Sequence, residues 1–132
     1  MKDYFEKYGS KFSTLGLLEG LMEREGFSCK AMFGGLAIYY DGKMVLVLME
    51  SPGERTYRKK RYPFEIWNGV LIPTFREHQQ SLIAEAPSFR SHPVLGKWLY
   101  IPMSEPEFEG LVEKLLSMII RRDERIGIWP GA

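Results

Sequence analysis

Apolar residues near the start of the chain recur at the spacing of a helix. Between residues 13 and 25 they fall every three or four positions, with acidic residues off the stripe, which consists of Leu15, Leu18, Leu21 and Met22. This spacing predicts an amphipathic helix over 13–25 that ends at Gly26. Gly16 and Gly20 weaken that helix by about 1 kcal/mol each relative to alanine.

After Gly26 the apolar period becomes two, which predicts strands. We expect Cys29, Ala31 and Phe33 on the half-buried face of the first strand. Two glycines then mark a turn or a bulge, and Asp-Gly marks a two-residue hairpin because a type I′ turn needs positive φ at both central positions. The predicted order is strand 29–33, turn Gly34-Gly35, strand 36–40, turn Asp41-Gly42 and strand 44–49.

The strand over 44–49 is apolar on both faces, so both faces should be covered. Alternation predicts one face of Met44, Leu46 and Leu48 and another of Val45, Val47 and Met49. Helices cover one face, which leaves the tail 121–132 or a second chain for the other. The candidate interface residues are Val45, Val47, Met49, Ile126, Ile128 and Trp129, and we expect Trp129 to pack on its own domain or on a second copy.

The second half of the chain mixes strand and helix signals. They are a hairpin at Asn68-Gly69 between strands 64–67 and 70–72, a capping box Thr74-x-x-Glu77 before a helix over 75–86, a strand 97–101, and a capping box Ser104-x-x-Glu107 before a helix from 108. These elements predict one α+β domain over 1–132. Its largely antiparallel sheet has about five to six strands and its helices number about three, in the order α-β-β-β-(β-β)-α-β-α.

Charge is close to balanced but unevenly distributed. The net charge is +1, whereas residues 51–100 hold eight bases against four acids. Most of that excess lies in one short segment, flanked by tyrosines, whose candidate phosphate contacts are Arg55, Arg58, Lys59, Lys60 and Arg61. A segment of this kind is typical of nucleic-acid binding, because its basic side chains can contact phosphates and the tyrosines can stack on nucleobases. The plainer interpretation is a solvated loop, because nucleic-acid domains usually have a pI above about 9 and here it is 7.8.

Reactive chemistry is sparse in this sequence. The single cysteine, Cys29, excludes an internal disulfide and a Cys-x-x-Cys clamp, and His78 and His92 stand in no metal-binding spacing. No phosphate-binding glycine loop and no Gly-x-Ser-x-Gly elbow occurs. We therefore predict no catalytic residue, no cofactor and no metal. The longest aliphatic run is far short of the roughly 20 residues of a membrane span, so we expect a cytoplasmic protein without a membrane partner.

One segment resembles a known family. The run from Met32 to Leu48, Met-Phe-Gly-Gly-Leu-Ala-Ile-Tyr-Tyr-Asp-Gly-Lys-Met-Val-Leu-Val-Leu, is similar to the signature of the TfoX/Sxy N-terminal domain family. The likeness extends to the preceding helix, to Tyr100-Ile-Pro102 and to the last helix, while the basic segment and 62–72 look like an insertion. The motif positions that transfer are Met32, Phe33, Gly34, Gly35, Asp41, Gly42 and Lys43.

The resemblance implies a small bacterial α+β domain related to regulators of DNA-uptake competence or transcription. We therefore expect a non-enzymatic regulatory or protein-interaction domain with an unidentified protein partner or a homodimeric form. Nucleic-acid binding through the basic segment is one alternative. A small-molecule binder or enzyme with an aromatic pocket formed by Trp67, Trp98 and Tyr100 is another.

Overall fold

The computed structural model describes residues 4–130. Four α-helices lie in this part of the chain: α1 Tyr4–Tyr8, α2 Glu19–Met22, α3 Arg76–Glu85 and α4 Phe108–Ile120. A 3₁₀ segment, Ser13–Leu18, runs directly into α2. The strands are β1 Phe27–Met32, β2 Gly35–Tyr40, β3 Lys43–Glu50, β4 Thr56–Tyr57, β5 Lys60–Arg61, β6 Asn68–Ile72, β7 Arg90–Ser91 and β8 Leu99–Pro102.

The main sheet has six strands in the order β1-β2-β3-β6-β8-β7, and every neighbouring pair is antiparallel. Strands β4 and β5 form a separate small hairpin. The predicted α+β class and the antiparallel sheet are confirmed. The hairpin turn at Asp41-Gly42 is also confirmed, because both residues have positive φ (52° and 85°) and Tyr40 pairs with Lys43 across it.

All helices that contribute to the core pack on one face of the sheet. Strand residues such as Leu36, Leu48 and Ile72 share a single cluster with the helical residues Leu21 and Leu115. The apolar stripe of α4 is the clearest case, with Phe108, Val112, Leu115, Leu116 and Ile119 all buried. Burying such a side chain contributes roughly 1.5–3 kcal/mol, so this face carries most of the hydrophobic stabilisation.

The first predicted helix is correct in its buried side chains but wrong in its geometry. Leu15, Leu18 and Leu21 are fully buried. The backbone, however, is 3₁₀ over 13–18 and α-helical only over Glu19–Met22. Gly16 and Gly20 remove the helix propensity that would favour a regular α-helix here.

A β-bulge corrects the predicted faces of β3. Ile38 pairs with Leu46 but Tyr39 pairs with Met44, so Val45 is the extra residue. The extra residue reverses the alternation of side chains before it. As a result Val45 packs in the helix-side core, while Met44 lies with Val47 and Met49 on the opposite face. The placement of Val45 on the second face was therefore wrong.

The predicted hairpin at Asn68-Gly69 is also wrong. Both residues lie inside β6, and no strand forms over 64–67. Gly69 is needed there for close approach, because a Cβ atom would clash with the Ile101 carbonyl oxygen and would lie 2.9 Å from Pro102 Cα. Central-strand packing against β8, rather than turn chemistry, explains this glycine.

The two capping boxes precede helices, but neither caps by its side chain. Helix α3 begins after Phe75 and α4 after Glu107, and neither has a side-chain cap hydrogen bond. The Thr74 hydroxyl instead donates to the Arg125 carbonyl oxygen at 2.5 Å. Thr74 therefore anchors the tail rather than the helix.

The tail is hydrogen-bonded to the domain up to Ile128; the last two residues of the predicted tail 121–132 lie outside the described part. Ile128 forms an antiparallel bridge with Met44 through backbone hydrogen bonds of 2.9 and 3.0 Å. Ile126 is buried in the helix-side core, and Ile128 packs on the other face. Trp129 remains 56% exposed beside the Asp41-Gly42 turn.

Candidate functional site

The sheet face opposite the helices is only partly covered. Its buried residues form a second cluster of Ala37, Met44, Val47, Met49, Leu71 and Tyr100. Loop residues Phe64, Trp67 and Trp98 and the tail residue Ile128 pack around that cluster. What these segments leave open is a cleft of about 760 Å³, a size typical of ligand sites.

The cleft is lined mainly by methionine and aromatic side chains. Met32, Val47 and Met49 come from the strands, while Trp67 and Trp98 come from the loops. Tyr57, Leu71 and Leu95 complete the apolar lining, and Ser51 and Glu54 are its polar members. Because Met side chains adapt their shape and Trp and Tyr supply large contact areas, this lining is typical of a binding surface.

Phe33 stands at the edge of this cleft in an unusual conformation. It is 90% exposed, and its φ is 52° in a two-residue turn with Gly34, whose φ is 79°. Positive φ costs a bulky residue about 1–2 kcal/mol, and strain of this kind is concentrated at functional sites. The prediction that Phe33 is on the buried face of β1 was wrong, because the chain turns at Phe33-Gly34 rather than after it.

A buried histidine holds one wall of the cleft. His92 is 1% exposed, its Nε2–H donates to the Ile66 carbonyl oxygen at 2.5 Å, and its Nδ1 accepts from the amides of Val94 (3.1 Å) and Leu95 (3.0 Å). Its ring lies 4.6 Å from that of Trp67. Burial lowers the pKa of His92 and keeps the imidazole neutral.

Tyr100 supports the same wall from beneath. Its hydroxyl donates to the Glu65 carbonyl oxygen at 2.5 Å and accepts from the Asn68 amide at 3.0 Å, and burial raises its pKa. Trp67 and Trp98 line the cleft as predicted, whereas Tyr100 is fully buried behind it. Sequence reasoning missed the roles of His92 and Asn68, which have no local signal.

Glu65 ties the segment before β6 to the loop after β3. Its carboxylate accepts from the Gly53 amide and, at 3.1 Å, from the Asn68 side chain. These two hydrogen bonds, the first being the stronger influence, lower the pKa of Glu65. The loop over 51–67 is thereby held against the sheet, which positions Trp67.

The basic segment forms a hairpin beside the cleft. Arg58 and Lys59 occupy its turn with φ of 49° and 67°, and β4 and β5 flank them. The turn is exposed, as are Lys60 and Arg61. Arg55 donates to the Pro63 carbonyl oxygen at 2.7 Å. All five candidate phosphate contacts thus belong to one hairpin.

The hairpin touches the cleft through an aromatic pair. The Tyr57 ring meets the Trp67 ring edge-on at 6.4 Å, and the Arg58 guanidinium lies 5.3 Å from the centre of the Tyr57 ring. Positive charge and aromatic surface are therefore continuous here.

The family-motif residues lie at the two ends of β2. Met32, Phe33 and Gly34 lie at the turn beside the cleft. Gly35, which follows, leaves no room for a Cβ atom, because a Cβ there would lie 2.6 Å from the backbone carbonyl oxygen of Leu48. Asp41, Gly42 and Lys43 form the opposite turn, where Asp41 makes an ion pair with Arg122. The first group belongs to the cleft and the second stabilises the tail side of the domain.

Two further ionisable groups have strongly shifted pKa values for structural reasons. Burial raises the pKa of the Cys29 thiol to about 11, so at neutral pH it is not an activated nucleophile. Asp123 accepts from Arg125, which lowers the pKa of Asp123 to about 2, and Arg125 also bonds Glu85 at 2.8 Å. Residues 4–130 contain no group of three or more His, Cys, Asp and Glu side chains arranged for a metal ion.

Comparisons with protein-family models, with curated proteins and with solved structures found no match. The likeness to the TfoX/Sxy N-terminal family therefore stays a prediction from the motif residues. Within residues 4–130 no helix has both the length and the apolar character needed to cross a membrane.

Proposed function

We propose that the protein is a non-enzymatic interaction domain of the TfoX N-terminal type that binds a protein partner in the cleft. The observation that carries the proposal is an open, methionine- and tryptophan-lined cleft bordered by the strained, 90% exposed Phe33. Exposed aromatic residues around an apolar pocket are typical anchors of protein interfaces. The resemblance adds the expectation of a bacterial regulatory role.

The charges around the cleft favour an acidic partner. The hairpin carries Arg58, Lys59, Lys60 and Arg61 beside the cleft. Among the residues that line the cleft, Glu54 is the one acidic side chain. Lys30 lies on the same sheet face, where its ammonium group is 5.5 Å from the centre of the Tyr39 ring. Complementary charge steers association and selects partners. The expected ligand is a protein segment with a large apolar anchor flanked by Asp or Glu.

The lining residues support binding rather than catalysis. Glu54 and Tyr57 are the ionisable side chains that line the cleft, and neither is hydrogen-bonded to a histidine or cysteine. His92 is enclosed behind Trp67, and Cys29 packs on the helix side of the sheet. A nucleophile with an adjacent base is thus missing from the described lining.

Selection from a phage-displayed library of random 12-residue peptides tests this proposal. We expect enriched peptides to combine an aromatic or aliphatic anchor with acidic residues. Their affinity, measured by fluorescence anisotropy, should fall in Phe33→Ser and in the double variant Arg58→Glu, Lys59→Glu. The matched control is Phe5→Ser, because Phe5 is exposed (41%) in α1, away from the cleft.

Two outcomes contradict the proposal. One is a library that yields no enriched peptide. The other is binding that the Phe33→Ser and hairpin variants leave unchanged, or that Phe5→Ser reduces equally.

A second candidate function is binding of single-stranded nucleic acid, favoured by the contact between Tyr57 and Trp67. Nucleobases stack on aromatic side chains of this kind, while neighbouring Lys and Arg side chains neutralise the phosphates. A labelled oligothymidine should then bind at 50 mM salt and weaken at 200 mM with a negative log–log slope of a few units. Absence of binding at 50 mM removes this candidate.

A further inference from the structure

One edge of the main sheet is long and open. Strand β1 forms that edge with six residues, whereas β7 at the other edge has two. No other strand of the described chain pairs with the outer side of β1. Ser28, Lys30 and Ala31 are exposed along it, and the edge carries no proline and no bulge. Proline and bulges are two of the devices that usually prevent edge-to-edge pairing, and the charged residue Lys30 is the one such device on β1.

The hairpin register identifies which backbone groups point outward. Met32 and Gly35 close the two-residue turn and so form a hydrogen-bonded pair. Hydrogen-bonded and non-hydrogen-bonded pairs alternate along an antiparallel ladder. The amides and carbonyls of Phe27, Cys29 and Ala31 therefore face away from β2. The Phe27 amide already donates to the Arg24 carbonyl oxygen at 3.4 Å, which leaves Cys29 and Ala31 as the available donors.

We propose that β1 pairs with β1 of a second copy of this chain, antiparallel about a two-fold axis at Cys29. In this register Cys29 faces Cys29 of the second copy, and Phe27 faces Ala31. The pairing forms about four new backbone hydrogen bonds without the Phe27 amide. Two six-stranded sheets join into one, and both clefts lie on the same face. The proposal does not depend on what the cleft binds.

A two-fold axis at Cys29 avoids a like-charge contact between the two β1 strands, although Lys7 of α1 also lies near enough to influence the Cys29 thiol. Lys30 is the one charged side chain of β1, and a two-fold axis at Cys29 places it opposite Ser28 rather than opposite Lys30 of the second copy. On the helix side of the sheet, Phe27 of one copy would face Ala31 of the other, and the two Cys29 residues would face each other. Like charges directly opposite would destabilise the pairing. An axis at Ala31 gives a shorter overlap, since β1 ends one residue later at Met32.

Charge changes at Ser28 test the proposed register. Sedimentation equilibrium over 10 µM to 1 mM (about the range for weak association) should show a concentration-dependent dimer. Ser28→Glu faces Lys30 of the second copy and should tighten the dimer about 2- to 30-fold, because two symmetric cross-strand pairs form. Ser28→Lys should weaken it by a similar factor. Both variants change the same exposed position, so each is the other's control.

Two further measurements separate the edge from other surfaces. Ala31→Pro removes an outward amide without touching the β1–β2 ladder, and should abolish dimerisation, whereas Ala31→Val should retain it. Diamide, which takes up the two electrons and two protons lost by the thiols, should join the two Cys29 residues in a disulfide. A hydrogen-bonded antiparallel pair has Cα atoms about 5.5 Å apart, within disulfide range.

A protein that stays monomeric at 1 mM overturns the proposal. So does a dimer that is insensitive to both Ser28 changes. A dimer that Ser28→Glu weakens and Ser28→Lys tightens overturns the register centred on Cys29.

Discussion

Lowering the pH should destabilise the fold through His92. Its neutral ring satisfies three backbone groups, because Nε2–H donates to Ile66 and Nδ1 accepts from Val94 and Leu95. Protonation would place a new N–H against those two amide donors. Burial, which disfavours the charged ring, keeps the pKa of His92 in the folded state below its ordinary value of 6.5.

The sign and size follow from proton linkage. Below pH 6.5 the His92 imidazole binds a proton in the unfolded chain but stays neutral in the folded protein. The free energy of unfolding therefore falls as the pH falls. The slope approaches about 1.4 kcal/mol per pH unit, the limit for one proton, until the folded-state pKa is reached. Glu65 and Asp123 have lowered pKa values. These carboxylates lose their contribution below about pH 4.5, outside this window.

Urea unfolding at pH 7.5, 6.5 and 5.5, followed by tryptophan fluorescence, measures the slope. Asn at position 92 keeps an acceptor near the Nδ1 position but does not titrate and leaves the Ile66 carbonyl unpaired. His92→Asn should therefore cost about 1–3 kcal/mol at pH 7.5 and abolish the slope. His78→Gln is the matched control and should keep it. A wild-type protein with no slope, or a slope that survives in His92→Asn, refutes this reasoning.

Three further predictions concern the backbone and the tail. Gly69→Ala should lower the free energy of unfolding in urea by about 2 kcal/mol or more, since the added Cβ meets the backbone of β8. The control Gly20→Ala, where nothing lies within 4 Å of the added Cβ, should raise that free energy by up to about 1 kcal/mol. Equal effects of the two substitutions would contradict the close approach at Gly69. Phe33→Gly should raise thermal stability by about 1 kcal/mol through relief of positive φ while weakening peptide binding; a loss of stability would argue against strain. Ile126→Ala should cost about 2–4 kcal/mol in calorimetry because Ile126 is 1% exposed, and an unchanged melting temperature would show that the tail is not part of the fold.

The candidate site was only partly predictable. Trp67 and Trp98 were identified as pocket residues from their aromatic character, and both line the cleft. Phe33 was placed on the half-buried face of the first strand because alternation was continued through a turn, although its exposure is what marks the cleft edge. His92 had no motif around it, because its partners Ile66, Val94 and Leu95 are backbone groups that only folding brings near.

Local sequence determined the elements whose signals are short-ranged. The stripe of α4 and the Asp41-Gly42 turn follow from period and turn chemistry, which neighbouring residues encode. The α+β class and the antiparallel sheet follow from their order.

Tertiary structure decided the features that depend on which strands pair. The bulge moved Val45 to the helix side, packing against β8 turned Asn68-Gly69 into a strand interior, and helices on one face left the cleft open on the other. The physical reason is that strand pairing and side-chain burial are long-range contacts. The spacing of apolar residues along the chain indicates which residues share a face of a strand or helix. It does not indicate which other element that face will pack against.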